Sequence, residues 1–232
     1  MSSLLTSSIG KKMLMGLSGI FLMLFLVVHL LLNSFLLIPD GGEMFNAGAH
    51  FMATNPIIKI VEPVLFLALI IHIVVAVILT IENRRARGSI RYASGNKTTG
   101  VTWASQNMFV LGVAVLAFLV LHLIHFWMKM KLTGDPLLSE VTIDIAGVQT
   151  VVTNSYALVN ATFASLWVVI VYIVASLALT IHLTHGFWSA FHSIGLNNEI
   201  WRKRLIVIGY VYAWVVGLGF SAIALGQYLF FQ

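Results

Sequence analysis

Cysteine is absent from all 232 residues, which excludes disulfides, thiolate metal sites and iron–sulfur ligation within the chain. Any iron–sulfur chemistry must belong to a partner. Charge is nearly as scarce. Asp, Glu, Lys and Arg make up 9% of the chain and hydrophobic residues 59%, whereas a typical soluble domain has about 25% charged residues. The chain is therefore expected to be an integral membrane protein, and its net charge of +5 carries no implication of nucleic-acid binding. Acids are missing from the middle of every apolar stretch, with only Glu62 and Glu82 at the ends of one of them. A carboxylate wire for protons across a bilayer has no residues to run on. The buried charges and broken helices expected of a transporter or channel pathway are also missing.

What remains is five long apolar segments, at roughly 13–38, 57–82, 106–130, 163–194 and 204–231. Each exceeds the roughly 20 residues needed to cross a hydrocarbon core of about 30 Å. The fold class is therefore all-α, with five transmembrane helices in one domain spanning residues 1–232. Lys11 and Lys12 before the first segment resemble a signal-peptide start, but the run is too long for an h-region and no small-residue cleavage site follows, so it is expected to remain as the first helix. Pro39-Asp40-Gly41-Gly42 ends that helix, and Pro56 and Pro63 bracket the entry to the second. In the longest loop, 132–162, residues 141–152 alternate around Ala146-Gly147 as a β-hairpin does. Gly209, Ala213, Gly217 and Ser221 recur every fourth residue in the fifth segment, a smooth stripe for close helix contact.

Ten of the thirteen basic residues fall on one side: Lys11 and Lys12, then Arg84, Arg85, Arg87, Arg91 and Lys97, then Arg202, Lys203 and Arg204. The positive-inside rule makes that side cytoplasmic, with the N-terminus inside and the C-terminus outside. Asp40, Glu43, Glu62, Asp135, Glu140 and Asp144 mark the outer side.

Four of the eight histidines, His29, His72, His122 and His185, each lie within a different apolar segment. A lipid-buried imidazole is costly unless its nitrogens are engaged, so four on four helices point to ligands of a group held between them. Helix direction converts sequence position to depth at about 1.5 Å per residue. His29 and His122 then share an outer level and His72 and His185 an inner one, about 13 Å apart. Structural zinc wants four ligands at one point, whereas two haems with two trans imidazoles each match two levels. Such iron has no open position, so the haems are expected to carry electrons. His125 and His182 lie three residues from His122 and His185, and only one member of each couple can point at a given iron. The spare imidazoles, with His192 and Ser18, are candidates for haem-propionate or quinone contacts. Glu43 and Glu62 are candidates for proton transfer at the outer side.

Two stretches carry a resemblance over essentially the whole chain: Ser8-Ile9-Gly10-Lys11-Lys12 leading into Gly16-Leu17-Ser18-Gly19 and His29, and His182-Leu183-Thr184-His185-Gly186-Phe187-Trp188-Ser189-Ala190-Phe191. The chain resembles the single-chain, five-helix, di-haem cytochrome b subunit of succinate dehydrogenases and fumarate reductases, of the b558 type. The resemblance implies two haem b groups held by the first four helices, first with third and second with fourth. It favours His185 over His182 and His122 over His125. It further implies a multi-pass subunit of a bacterial cytoplasmic membrane, part of respiratory complex II and the tricarboxylic acid cycle. A flavoprotein and an iron–sulfur protein would dock on the cytoplasmic face, and a quinone, commonly menaquinone, would be the substrate in the membrane. The dicarboxylate chemistry would lie in the flavoprotein, leaving this chain as anchor, electron carrier and quinone-site subunit. A haem-bearing anchor of a hydrogenase or formate dehydrogenase, or a b561-type reductase, is the alternative.

Overall fold

A computed structural model of the protein describes residues 7–87 and 102–231. Five of the described helices are long and apolar enough to cross a membrane: α1 (Ser8–Ser34), α3 (Pro56–Arg87), α5 (Met108–His122, carried on to Thr133 by two π-helical turns), α7 (Leu166–Ser193) and α8 (Glu199–Phe230). Between them lie the shorter α2 (Glu43–Thr54), α4 (Trp103–Gln106) and α6 (Ser155–Phe163), and the strands β1 (Glu140–Ile145) and β2 (Val148–Thr153).

Several boundaries differ from the sequence expectation for identifiable reasons. α1 starts at Ser8 because the Ser7 hydroxyl accepts the Gly10 N–H at 3.0 Å, a cap that precedes the apolar run. Pro56 occupies the first turn of α3, where its missing N–H costs nothing, and Pro63 is accommodated inside the helix. The segment expected at 163–194 is the single helix α7, which starts three residues later, after extended Ser165 separates it from α6. α2 is an unexpected element. Its first turn is capped by Asp40, whose carboxylate accepts the N–H groups of Gly42 at 2.8 Å and Met44 at 2.9 Å. Gly42 there has φ +89°, and a Cβ would meet the Tyr156 ring at 2.2 Å.

The hairpin forms as its alternation indicates. β1 and β2 pair antiparallel with Ile145 opposite Val148, and both turn residues have positive φ, Ala146 at 54° and Gly147 at 86°. Ile143 and Val152 are its buried residues. Buried Asn46 on α2 ties this cap together, donating to Asn154 Oδ1 at 3.1 Å and accepting the Tyr156 N–H at 2.8 Å. Beside it, Asp135 accepts the Leu137 N–H and pairs with Lys129, and these two contacts hold its carboxyl below the usual carboxylate range. A depressed folded value means that this contribution is present near neutral pH and is lost on acidification.

α8 packs along α7 and α1. The small-residue stripe faces α7: a Cβ on Gly209 would lie 3.0 Å from Phe187 and one on Gly217 only 1.7 Å from Thr180 Oγ1, while Ala213 is fully buried. α1 in turn lies against α3 and α7, where a Cβ on Gly16 would come within 2.8 Å of the Ala190 carbonyl oxygen. α3 and α5, by contrast, meet sparsely. Phe66 and Trp127 join them at the hairpin end, 5.2 Å between ring centres, and Arg84 lies over Phe109 at 5.4 Å near the other. That second end is the basic one. It carries Lys11, which pairs with Glu82, and Lys12, Arg84, Arg85, Arg202, Lys203 and Arg204. Arg91 and Lys97 lie outside the described residues.

Candidate functional site: two levels of paired imidazoles

Near the hairpin end, His29 of α1 and His122 of α5 face each other across the bundle, with ring centres 5.7 Å apart and planes at 86°. Two imidazoles bonded to one metal at about 2 Å each have ring centres about 6 Å apart, so this pair is spaced as trans ligands are. Phe25 stacks on His29 at 5.1 Å, and Phe220 of α8 lies 5.5 Å from it. Phe118, Phe126 and Tyr172 surround His122. Asn33 donates to the His29 carbonyl at 2.8 Å and lies 3.4 Å from His29 Nδ1.

Near the basic end, His72 of α3 rests against α1 at Ser18 and Gly19. The Ser18 hydroxyl donates to the Leu14 carbonyl at 2.7 Å, and its oxygen lies 3.4 Å from His72 Nδ1. In the Nδ1–H tautomer the Nε2 lone pair is left for a metal. On α7, His182 lies beside Gly112 of α5. His185 lies edge-on to Trp188, 5.1 Å away with planes at 87°.

Three helices give the same separation of levels. Gly19 to His29 on α1, Gly112 to His122 on α5, and Tyr172 (beside His122) to His182 on α7 each span about ten residues, or about 15 Å. His29 and His122 join α1 with α5, helices that are not closely packed neighbours.

The residues fit haem on two counts. First, Nδ1 of His122, His182 and His185 is buried without a hydrogen-bond partner, and each such orphan costs about 1–3 kcal/mol unless a further group is present. Second, glycine leaves room beside the imidazoles, at Gly19, where a Cβ would lie 3.6 Å from His72, and at Gly112, where it would lie 3.8 Å from His182.

The remaining candidates separate. His125 lies in the π-helical turn Leu123–Trp127 and bonds the Tyr172 hydroxyl at 3.0 Å through Nδ1. His192 is exposed at the basic end, 6.1 Å from Trp188, over which Arg202 also lies. Glu62 clasps α3 to α5, accepting Trp127 Nε1–H and pairing with Lys131, both at 3.0 Å. Glu43 is exposed in the first turn of α2. Sequence reading missed Tyr172, Trp127 and Trp188. Tyr172, a hydroxyl in the middle of an apolar span, was visible as an anomaly; the tryptophans were not, since they read as ordinary interfacial residues.

Comparisons with protein-family models, with curated proteins and with solved structures give no match.

Proposed function

We propose that the protein is a di-haem cytochrome b, the membrane-anchor and quinone-site subunit of a succinate dehydrogenase or fumarate reductase. The observation that carries this reading is the facing pair His29 and His122, with further imidazoles of α3 and α7 at a second level. His29 with His122, and His72 with His185 or its neighbour His182, would hold the two groups. Haem bound there would supply one-electron transfer. Ser18 lies beside His72 Nδ1, and Phe25, Phe118, Phe126 and Phe220 keep water from the hairpin-end pair.

The basic end is the cytoplasmic one in this reading, by the positive-inside rule, and docks an iron–sulfur protein and a flavoprotein that carries the dicarboxylate chemistry. Electrons would reach the His72 level first and the His29 level second. The chain purified intact is expected to hold about two low-spin haems by pyridine haemochrome assay, one per imidazole pair. A ratio near one, or mainly high-spin iron, would remove the paired-ligand reading.

Quinone chemistry also needs protons at the hairpin end, and half-buried Glu62 is the carboxylate of the spanning helices there. In the assembled complex Glu62→Gln is expected to slow quinone reduction while dye-coupled succinate oxidation and both haems persist. Glu43→Gln, on an exposed turn, is expected to change neither. Full quinone turnover in Glu62→Gln would assign that carboxylate to the clasp alone.

A further inference from the structure

Between α5 and α7 an apolar groove of about 410 Å3 opens toward the lipid, within the roughly 300–1,000 Å3 typical of small-molecule sites. Ala114 and Ala117 on one helix and Ala175 and Ala178 on the other make its walls, and Leu121 and Phe118 lie toward its hairpin end. Small residues keep the seam open where larger ones would fill it. The groove runs from the level of His122 toward that of His182.

Phe118 belongs to two environments. It lines the groove, and it stands edge-to-face on Tyr172 at 4.8 Å. Tyr172 is buried, its ring 6.2 Å from His122, and its hydroxyl is bonded to His125 with the two rings nearly coplanar in stacking, 6° apart. A phenol and a neutral imidazole bring two donor hydrogens between them, and the bond joining them uses one. If Tyr172 donates to His125 Nδ1, the Nε2–H is uncommitted; if Nδ1–H donates to Tyr172, the phenol O–H is uncommitted. Either way one hydrogen-bond donor remains beside the hairpin-end imidazole pair, and no other described residue bonds to the dyad.

The groove and the dyad meet at Phe118, and an apolar groove beside a single uncommitted donor fits a long hydrocarbon chain ending in a carbonyl. We infer that the α5–α7 seam is the binding site for the isoprenoid quinone, its tail along Ala114, Ala117, Ala175 and Ala178 and one ring carbonyl accepting from the Tyr172–His125 dyad. The inference rests on the reading of the protein as a quinone-linked subunit and gives that reading a location. It also sets the head group on the α7 side of α5, whereas Glu62 lies on the α3 side.

The test is photolabelling of the intact complex in lipid nanodiscs with an isoprenoid-tailed azido-quinone, followed by peptide mapping. Label is expected in 114–125 and 170–178. Ala114→Leu with Ala117→Leu, both lipid-facing, should cut labelling and raise the KM for the tailed quinone by about tenfold, with kcat for a tail-less naphthoquinone retained. Tyr172→Phe should lower turnover of both quinones. Label concentrated on α3 around Glu62, undiminished label in the double-leucine variant, or label displaced by phospholipid and not by unlabelled tailed quinone would overturn the assignment. Labelling needs no haem. A groove that labels in a chain lacking haem would keep the site and remove the cytochrome reading, and a di-haem chain labelled elsewhere would do the reverse.

Discussion

Replacing His29 or His122 by alanine is expected to take the haem content of the purified chain from about two to about one, with the surviving haem low-spin. The two rings face each other at 5.7 Å, so removing either would leave iron with one protein ligand in a pocket of phenylalanines that offers no substitute. His72→Ala is expected to remove the other haem, and so is His185→Ala, the α7 histidine that the resemblance favours. The decisive comparison is His182→Ala, which should then keep both haems low-spin. His125→Ala should also keep both, since its nitrogen is engaged with Tyr172. Pyridine haemochrome content and low-temperature spectra of the six single variants would check this. Loss of a haem in His182→Ala with retention in His185→Ala would make His182 the α7 ligand, about 60° away around the helix axis.

Gly217→Ala is expected to be strongly destabilising. The new Cβ would lie 1.7 Å from Thr180 Oγ1 and 3.2 Å from the Ser176 carbonyl oxygen, and Thr180 is held by its own bond to Ser176 at 2.8 Å. Neither neighbour is the free end of a flexible chain, so the two helices must part. Overpacking of this kind costs about 3 kcal/mol, which for a chain of this size is a fall in Tm of roughly 5–10 °C. Gly219→Ala is the control. Its Cβ would meet Leu30 Cδ1 at 2.8 Å, a side-chain end that can rotate away, so a smaller fall is expected. In a Thr180→Ala background the clash with Oγ1 is gone, and Gly217→Ala should cost markedly less. Thermal unfolding in detergent of the parent chain, Gly217→Ala, Thr180→Ala and the double variant forms a double-mutant cycle. Equal costs in both backgrounds would show that the pair is not in contact.

Spanning helices were legible from residue order alone because hydrocarbon admits few solutions: a long apolar run must satisfy its own backbone hydrogen bonds, and a helix does so locally. The hairpin was legible for a related reason, its period of two and its Ala146-Gly147 turn being local properties. That histidines on four segments lie at two depths also followed from counting, since rise per residue is nearly constant. The sequence could not say which imidazole of a couple faces inward. His182 and His185 lie three residues apart on one helix, both half-buried, and rotation about the axis is set by what the helix packs against. In α7 that is decided by Gly217 and Gly209 of α8 and by Gly16 of α1, whose contacts lie far away in the chain. The same holds for His125, which reaches Tyr172 from a π-helical turn that changes the angular step, and for the clasp of Glu62 to Trp127, 65 residues away. Sequence determined which groups exist and at what depth. Tertiary packing decided which of them meet, because rotation about a helix axis is fixed by side-chain contacts between helices and not by hydrogen bonds within one.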